Sequence, residues 1–402
     1  MKTKVGIFVI LIITILLYSS IIVSAKTNST ETYVVAFVKA NTNKIAVRYS
    51  EDEGATWTDG SFPSMSAMRG VGYMTDKYGV VNFALMDNLN SVKFEWGIGP
   101  TAWGHEATTT SSFTLLSSVN GVPIDDGLQV VTFLTSGNGQ KVSVYVWDYT
   151  SQQFIHGDQA PISYNSNVLG RPAISFFNDK IVLAWQRSTS IGTQIVTVSG
   201  TVDSAHDITW NSPRVLSGPS NIAYYIGNPA LANDRNKYYL AIDFKASSTD
   251  CSGQDTCLSG WGVAVFESTD GNNWNIHSEL DMDAVQNACV AIAAHESGTI
   301  LVSAINTCLT SHTSEGVVIK KYTPNAGWST LSSSTVFGAS SIYPKDFSLI
   351  NYGYPPQIIV TTTTDSNGNV ITTTITKTSP DWTVFSIFTA FAVLFIKKKI
   401  LK

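Results

Sequence analysis

Charge is scarce in this chain. Only 14% of its 402 residues are Asp, Glu, Lys or Arg, and the formal net charge is −5. Without a Lys/Arg stripe there is nothing to track a phosphate backbone, so nucleic acid is excluded as a main partner. Long helical periodicity is missing from the middle of the sequence. There is no Gly-x-Ser-x-Gly elbow, no His-Glu-x-x-His and no P-loop. The six histidines are scattered, and no Cys-x-x-Cys is present. No metal site and no cofactor are therefore expected.

Cysteine is also sparse. Cys251, Cys257, Cys289 and Cys308 are the only four. An even, small number suits an exported protein with two disulfides. Cys251 and Cys257 bracket a polar loop. Cys289 and Cys308 flank an expected hairpin with its turn at His295-Glu296-Ser297-Gly298 and stand at near-equal distances from it, a plausible cross-strand pair.

Long apolar runs are confined to the ends. Val5 to Val23 follows two lysines and leads to Val23-Ser24-Ala25, which has the form of a secretory signal cleaved after Ala25. An uncleaved anchor is the alternative. Trp382 to Ile396 precedes Lys397-Lys398-Lys399. As a helix that run covers roughly 22 Å against roughly 30 Å of hydrocarbon, with Trp382 at the interface and the lysines snorkelling. The expected layout is a signal peptide over 1–25, an ectodomain over 26–350 and a Thr-rich hairpin or stalk over 351–381. A transmembrane anchor over 382–396 and a basic cytoplasmic tail over 397–402 complete it. That puts the body of the chain at the cell surface. Asn28-Ser29-Thr30 is a glycosylation sequon just past the cleavage point.

What fills the middle is a repeat. Large aromatics follow polar turns at Trp57, Trp103, Phe154, Trp210, Trp274 and Trp328. Ahead of most of them a small-residue start leads to an apolar strand, a polar turn and a second apolar strand. Gly170-Arg171-Pro172-Ala173 into Ile181–Trp185 is the clearest case, and Gly227-Asn228-Pro229-Ala230 repeats it. Asn287 to Ile305 is a third copy; Gly70–Met86, Gly127–Trp147 and Lys345–Val360 are looser ones. Repeated four-stranded units of this length predict an all-β six-bladed β-propeller. The segment from Tyr33 to Phe62 supplies only the later strands of its blade, and a strand near Lys345–Ile350 is expected to join it and close the ring. Seven blades are the alternative, with an extra hairpin around Asp365-Ser366-Asn367-Gly368-Asn369.

Two of the turns share a chemistry. Ser50-Glu51-Asp52-Glu53-Gly54-Ala55-Thr56-Trp57 follows an alternating strand, and Ser268-Thr269-Asp270-Gly271-Asn272-Asn273-Trp274 is a near copy. The Asp accepts hydrogen bonds from turn backbone groups, the Gly takes a positive φ, and the Trp packs into apolar neighbours. The residues Ser50, Asp52, Gly54 and Trp57, with Ser268, Asp270, Gly271 and Trp274, resemble the Asp-box of the sialidase superfamily, a BNR-repeat propeller family. The resemblance implies that each box joins the third and fourth strands of a blade, away from the active site. It also implies an arginine triad for a carboxylate, a tyrosine nucleophile assisted by glutamate, and an aspartate acid/base.

The match to that catalytic set is incomplete. The Phe/Tyr-Arg-Ile-Pro segment of the family is absent, and the chain has six arginines in all. Arg48 falls on an Asp-box strand and Arg235 in a turn; Arg69 and Arg171 are the candidates, with Arg187 as a further one. Starts of the innermost strands converge on one mouth of a propeller. Expected there are Arg69, Asp125, Asp126, Arg171, Tyr224, Tyr225, Asn228, Gln286, Asn287, Tyr343, Lys345 and Asp346. Arg69, Asp126, Arg171, Tyr225, Tyr343 and Asp346 are the chosen ligand-binding candidates, since guanidinium forks pair with carboxylates and aromatic faces stack on sugar rings. Tyr343 or Tyr225 matches a nucleophile by position only, and Asp126 an acid. The expected function is a surface propeller that binds a glycan or protein partner without catalysis. An exo-glycosidase with a divergent site and a structural surface-layer or adhesion component are the alternatives.

Overall fold

Runs of β-branched and aromatic residues punctuated by Asn, Asp and Gly favour short strands joined by tight turns. In the computed structural model the described residues hold 27 strands and no helix. These residues are 32–39, 45–50, 54–60, 69–75, 80–88, 91–98, 102–110, 119–125, 128–135, 141–157, 168–190, 192–216, 222–246, 261–281, 289–295, 297–305, 317–331, 344–352, 357–364 and 370–377.

The strands fall into repeated antiparallel meanders. β1 (Thr32–Lys39), β2 (Ile45–Ser50) and β3 (Thr58–Asp59) belong to blade one, and β4 (Arg69–Thr75), β5 (Val80–Asn88), β6 (Ser91–Ile98) and β7 (Ala102–Thr110) form blade two. Blade three is β8 (Asn120–Asp125), β9 (Leu128–Thr135), β10 (Lys141–Asp148) and β11 (Gln153–His156). Blade four is β12 (Val168–Phe177), β13 (Lys180–Thr189), β14 (Gly192–Val202) and β15 (Ile208–Trp210), with β16 (Arg214–Val215) also on β14. Blade five is β17 (Ile222–Asn233), β18 (Tyr238–Ala246), β19 (Trp261–Ser268) and β20 (Asn275–Asp281). Blade six is β21 (Cys289–Ala294), β22 (Ile300–Ile305), β23 (Val317–Thr323) and β24 (Gly327–Leu331).

β25 (Pro344–Tyr352) then returns to pair antiparallel with β1, as the innermost strand of blade one. The first strands touch in a closed cycle: β25 with β4, β4 with β8, β8 with β12, β12 with β17, β17 with β21, and β21 with β25. This is a six-bladed propeller, its ring closed by a strand from the end of the repeat array. Closure removes the inner sheet edge that blade one would otherwise expose. A hairpin of β26 (Gln357–Thr364) and β27 (Val370–Lys377) belongs to a separate unit made of 1–30 and 354–402, while 31–353 form the propeller unit.

The sheet of blade four is covered on both faces, and this sets the residue pattern. Leu183 packs with Val130, Val144 and Val146 of blade three, while its neighbour Ala184 packs with Leu240, Ile242 and Phe266 of blade five. The middle strands are therefore apolar at consecutive positions, as strands buried on two sides must be. Ile181 through Trp185 are all fully buried. Between blades two and three, Phe94 stacks on Trp147 with ring centroids 4.1 Å apart. The six turn-following aromatics of the sequence each stand in or directly before a blade's fourth strand: Trp57, Trp103, Phe154, Trp210, Trp274 and Trp328. Large rings fill the wedge that opens between sheets as they splay outwards.

Some expectations need correction. Gly127–Trp147 is not an inner-strand start: β8 precedes it, so β9 and β10 are the second and third strands of blade three. Asp125 is consequently the last residue of its inner strand rather than its start, at the far end from the mouth it was assigned to; Asp126, next to it, lies outside the described residues. Lys345–Val360 is not one hairpin either, because β25 pairs with β1 and β26 pairs with β27. The hairpin at His295–Gly298 is present, with Gly298 at φ 81° and its N–H donating to the His295 carbonyl at 2.8 Å. In that hairpin Cys289 faces Ile305. Cys308, Cys251 and Cys257 lie outside the described residues, as do residues 1–25 and the run Trp382–Ile396. No helix among the described residues is long and apolar enough to cross a membrane.

Candidate functional site

The inner strands run in one sense. Asn120, which opens β8, donates from Nδ2 to the Pro172 carbonyl in the first half of β12 at 2.6 Å. Asn233, which ends β17, donates to Ser175 Oγ and the Phe176 carbonyl near the end of β12 at 2.9 and 3.1 Å. β17 and β21 pair in parallel through Asn228 and Cys289. By the repeat, β25 and β4 follow the same sense, so the opening ends of all six inner strands surround one mouth.

Four of those six opening ends are irregular. In β4 the register shifts between Arg69 and Val71, leaving Gly70 without a counterpart on β5. In β25 it shifts at Lys345, between Pro344 and Asp346. β12 is larger: Leu169 faces Gln186 and Ala173 faces Ala184, so Gly170-Arg171-Pro172 stand against Trp185 alone. β17 repeats this, with Ile226 facing Asp243, Ala230 facing Ala241, and Gly227-Asn228-Pro229 standing against Ile242. Bulges break the ladder, bend the strand and re-aim its residues, and they concentrate beside functional sites. At the two three-residue bulges the proline gives up an N–H that the ladder does not use.

Four sequence candidates sit on these ends. Asp346 and Arg69 stand on neighbouring inner strands β25 and β4, and Arg171 and Tyr225 on neighbouring strands β12 and β17. Asp125 ends β8 and does not join them. Asp126 and Tyr343 lie outside the described residues. Among the other arginines, Arg187 stands opposite Val168 and donates from Nη2 to Gln194 Oε1 at 2.7 Å. Arg48 is held by Asp59 Oδ1 and the Trp57 carbonyl, each at 2.7 Å, and Arg214 by Asn273 Oδ1 at 2.7 Å. Arg235 is in the β17–β18 turn at φ 67°.

Two buried polar residues near the mouth escaped sequence reading. Gln186 and Asp243 are 5% and 3% exposed. Each follows an Ala-x pair in the second strand of its blade, as Ala184-Trp185-Gln186 and Ala241-Ile242-Asp243. The usable signal was a polar residue interrupting an apolar second strand at the same offset in two repeats.

The two box-like turns lie elsewhere, and both join the third and fourth strands of their blades. In blade one, Ser50 Oγ accepts from the Gly54 N–H at 2.8 Å, and Trp57 Nε1 donates to the Gly54 carbonyl at 3.1 Å. Asp52 lies outside the described residues. In blade five, Ser268 Oγ accepts from the Gly271 N–H at 2.9 Å. Asp270 Oδ1 accepts from the N–H groups of Asn272 and Asn273 at 2.9 and 2.8 Å. Partial burial pushes the Asp270 carboxyl up, but the hydrogen bonds from Asn273, Asn272 and Ser268 outweigh it and bring it down to about 2. Trp274 Nε1 reaches Thr197 Oγ1 of blade four at 3.2 Å. Among the described residues these turns fasten blade to blade and bring no group to the mouth. Among the described residues no cluster of His, Cys, Asp or Glu is set to hold a metal ion.

No protein-family model matches the chain, and neither does any curated protein. Solved structures that resemble it include the Aleuria aurantia lectin, described as a six-bladed β-propeller with a novel fucose recognition mode. It is 13% identical over 79% of this chain and 93% of its own, with a TM-score of 0.48. AofleA from Arthrobotrys oligospora is 12% identical over 77% of this chain and 83% of its own, with a TM-score of 0.44. A GH43 endo-arabinanase from Bacillus licheniformis is 12% identical over 67% of this chain and 99% of its own, with a TM-score of 0.40. Likenesses of this order carry neither ligand nor chemistry to the present chain.

Proposed function

We propose that the chain is a cell-surface propeller, related to the sialidase-like superfamily, that binds a glycan at the mouth formed by the inner-strand opening ends and does not catalyse its turnover. The observation that carries the reading is the set of bulges in four of those six inner strands: Arg171 stands in one, Arg69 and Asp346 flank theirs, and Tyr225 stands two residues before its own. Cationic forks and a tyrosine ring suit a hydroxyl-rich or carboxylate-bearing sugar. The absence of catalysis is supported by the arginine inventory. Of the six, Arg48, Arg187 and Arg214 bond neighbours on second, third or outer strands and Arg235 sits in a turn. That leaves two for a role that takes three in sialidases. The signal over 1–25 and the anchor over 382–396 complete the proposal, holding the propeller outside the cell.

A glycan array probed with the full-length chain tests it. Binding to a defined set of glycans is expected, lost in Arg171→Ala, with no release of sugar from aryl glycosides, sialosides included. Turnover that disappears in Arg171→Ala would replace this reading with a divergent exo-glycosidase. No binding to any glycan would end it.

A further inference from the structure

His156 closes β11, the outermost strand of blade three, and reaches across to blade four. Its Nε2 stands 3.0 Å from the Ala205 carbonyl oxygen, and its Nδ1 stands 3.2 Å from Asp207 Oδ1. Both partners lie in the turn between β14 and β15. That turn is held by its own bonds. Asp203 Oδ1 accepts from the N–H groups of Ala205 and Asp207 at 2.8 and 3.0 Å. The His206 N–H donates to the Asp203 carbonyl at 3.0 Å, and the Asp203 N–H donates to the Asp207 carbonyl at 3.1 Å. The backbone that carries both acceptors is therefore set by the turn itself.

Two acceptors around one imidazole make its proton count matter. A carbonyl oxygen only accepts, so Nε2 must carry a hydrogen to bond Ala205. In the neutral ring Nδ1 then bears a lone pair beside the Asp207 carboxylate. A proton added at Nδ1 replaces that repulsion with an ion pair and leaves the bond to Ala205 in place. The neutral ring makes one favourable contact with blade four, and the charged ring makes two. Arg48–Asp59 and Lys237–Glu267, by contrast, are ion pairs within a single blade.

The other titratable groups of the turn are Asp203, with Oδ1 engaged as above, and His206, at φ 66°. On β10 the residue opposite His156 is Val146. At the other end of β11, the Asp148 carboxylate accepts from the N–H groups of Thr150 and Ser151 at 2.8 and 3.2 Å. On the β12–β13 side of the turn, the Val202 N–H donates to the Asp179 carbonyl at 2.9 Å, so Asp179 and Lys180 are the next charges in that direction. Asp158 lies outside the described residues.

We infer that His156 is an acid-tightened clasp between blades three and four. The added proton belongs to the clasped state, so the joint strengthens as pH falls and weakens as pH rises, through the range of about 5 to 8 where histidine titrates. Nothing in this joint depends on glycan binding.

Two variants of the full chain test the clasp. His156→Gln keeps an N–H donor for Ala205 and takes up no proton, and Asp207→Asn removes the carboxylate. The two side chains are 29% and 63% exposed, so both variants should fold. In the wild type, protection of the His206 and Asp207 amides, corrected for intrinsic exchange, should fall about threefold between about pH 5.5 and pH 8, the size of an exposed ion pair. Either variant should abolish that fall, and the two together should do no more than one, since they act on a single contact. Nitrogen-15 NMR of the histidine rings at about pH 8 should find the hydrogen of the neutral His156 ring on Nε2. Wild-type protection that is equal at both pH values overturns the clasp. So does a fall that persists in His156→Gln, or a neutral ring with its hydrogen on Nδ1. Asp207→Asn alone decides if His156→Gln does not fold.

Discussion

Asn272 and Ser199 exchange two hydrogen bonds across the gap between blades five and four. Asn272 Nδ2 donates to Ser199 Oγ at 2.7 Å, and the Ser199 N–H donates to Asn272 Oδ1 at 3.3 Å. The turn that carries Asn272 is thus pressed onto the preceding blade. Gly271 beside it has φ +74°, and a Cβ there would stand 2.3 Å from Val182 Cγ2. The turn of blade one is looser. A Cβ on Gly54, at φ +86°, would meet nothing nearer than Leu331 Cδ1 at 3.4 Å.

These distances predict unequal costs for the same substitution. Gly54→Ala should pay mainly for left-handed backbone, about 1 kcal/mol, whereas Gly271→Ala adds overpacking against Val182 and should cost about 3 kcal/mol. Urea unfolding of both variants checks this. Equal losses would mean that blade five does not depend on this contact.

Asp270 gives that same turn an acid sensitivity. Its carboxyl sits at about 2 instead of 3.8, because four hydrogen bonds from Asn273, Asn272 and Ser268 outweigh the opposing effect of burial. A folded-state value below the unfolded one means stabilisation that is complete above about pH 4 and disappears as pH falls from there towards about 2. The group is partly exposed, so screening reduces the gain to about 1 kcal/mol. Asp270→Ala should therefore lower stability by about that amount at pH 7 and by almost nothing at pH 2. Melting curves at the two pH values give the comparison, and an equal loss at both would show that charge is not the cause.

His277 works at a milder pH. Its ring lies edge-on to Tyr322 at 4.9 Å, Tyr239 at 6.0 Å and Trp328 at 6.2 Å, in the joint between blades five and six. Burial holds its pKa below the usual 6.5; Glu267 opposes this and Lys237 adds to it. The unfolded chain therefore takes up the proton first as pH falls, and stability drops below about pH 6.5 until the folded form titrates as well. His277→Gln should flatten the change in melting temperature between pH 7.5 and pH 5. A variant whose slope matches the wild type would acquit this residue.

The ring itself was legible because its signals are local. Trp274 and Trp328 follow turns whose length and polarity are written in a few consecutive residues, and each marks a fourth strand. The two Gly-x-Pro-Ala starts marked inner strands for the same reason. β8 escaped because Gly121 and Pro123 interrupt so short a strand that no period emerges, and the count began one strand late at Gly127. The bulges escaped for another reason. Register belongs to a pair of strands, and neither member alone shows that three residues at Arg171 will face one. Gln186 and Asp243 each looked like a single polar intrusion in an apolar run, and only the strand pairing shows that they stand at the same offset from an Ala–Ala pair.

Ring closure is the most non-local feature, and truncation probes it. β1 pairs with β25 from Thr32 opposite Tyr352 to Lys39 opposite Pro344. A chain ending at Gly353 keeps that ladder and the whole of the compact unit over 31–353. A chain ending at Tyr343 lacks β25. It leaves the inner edge of β1 unpaired, and it breaks the contacts that β25 makes with β4 and β21. An unpaired inner strand is a template for another copy, and β pairing between distant segments has no local substitute. The shorter chain should elute as soluble aggregate or fail to fold, while the longer one should elute as a discrete species with a cooperative melt. Adding a synthetic 344–352 peptide during refolding should recover part of the discrete species, by strand addition to the open edge. If the chain ending at Tyr343 melted like the longer one, blade one would be held by its neighbours and not by this strand, and the closed ring would lose its stabilising role.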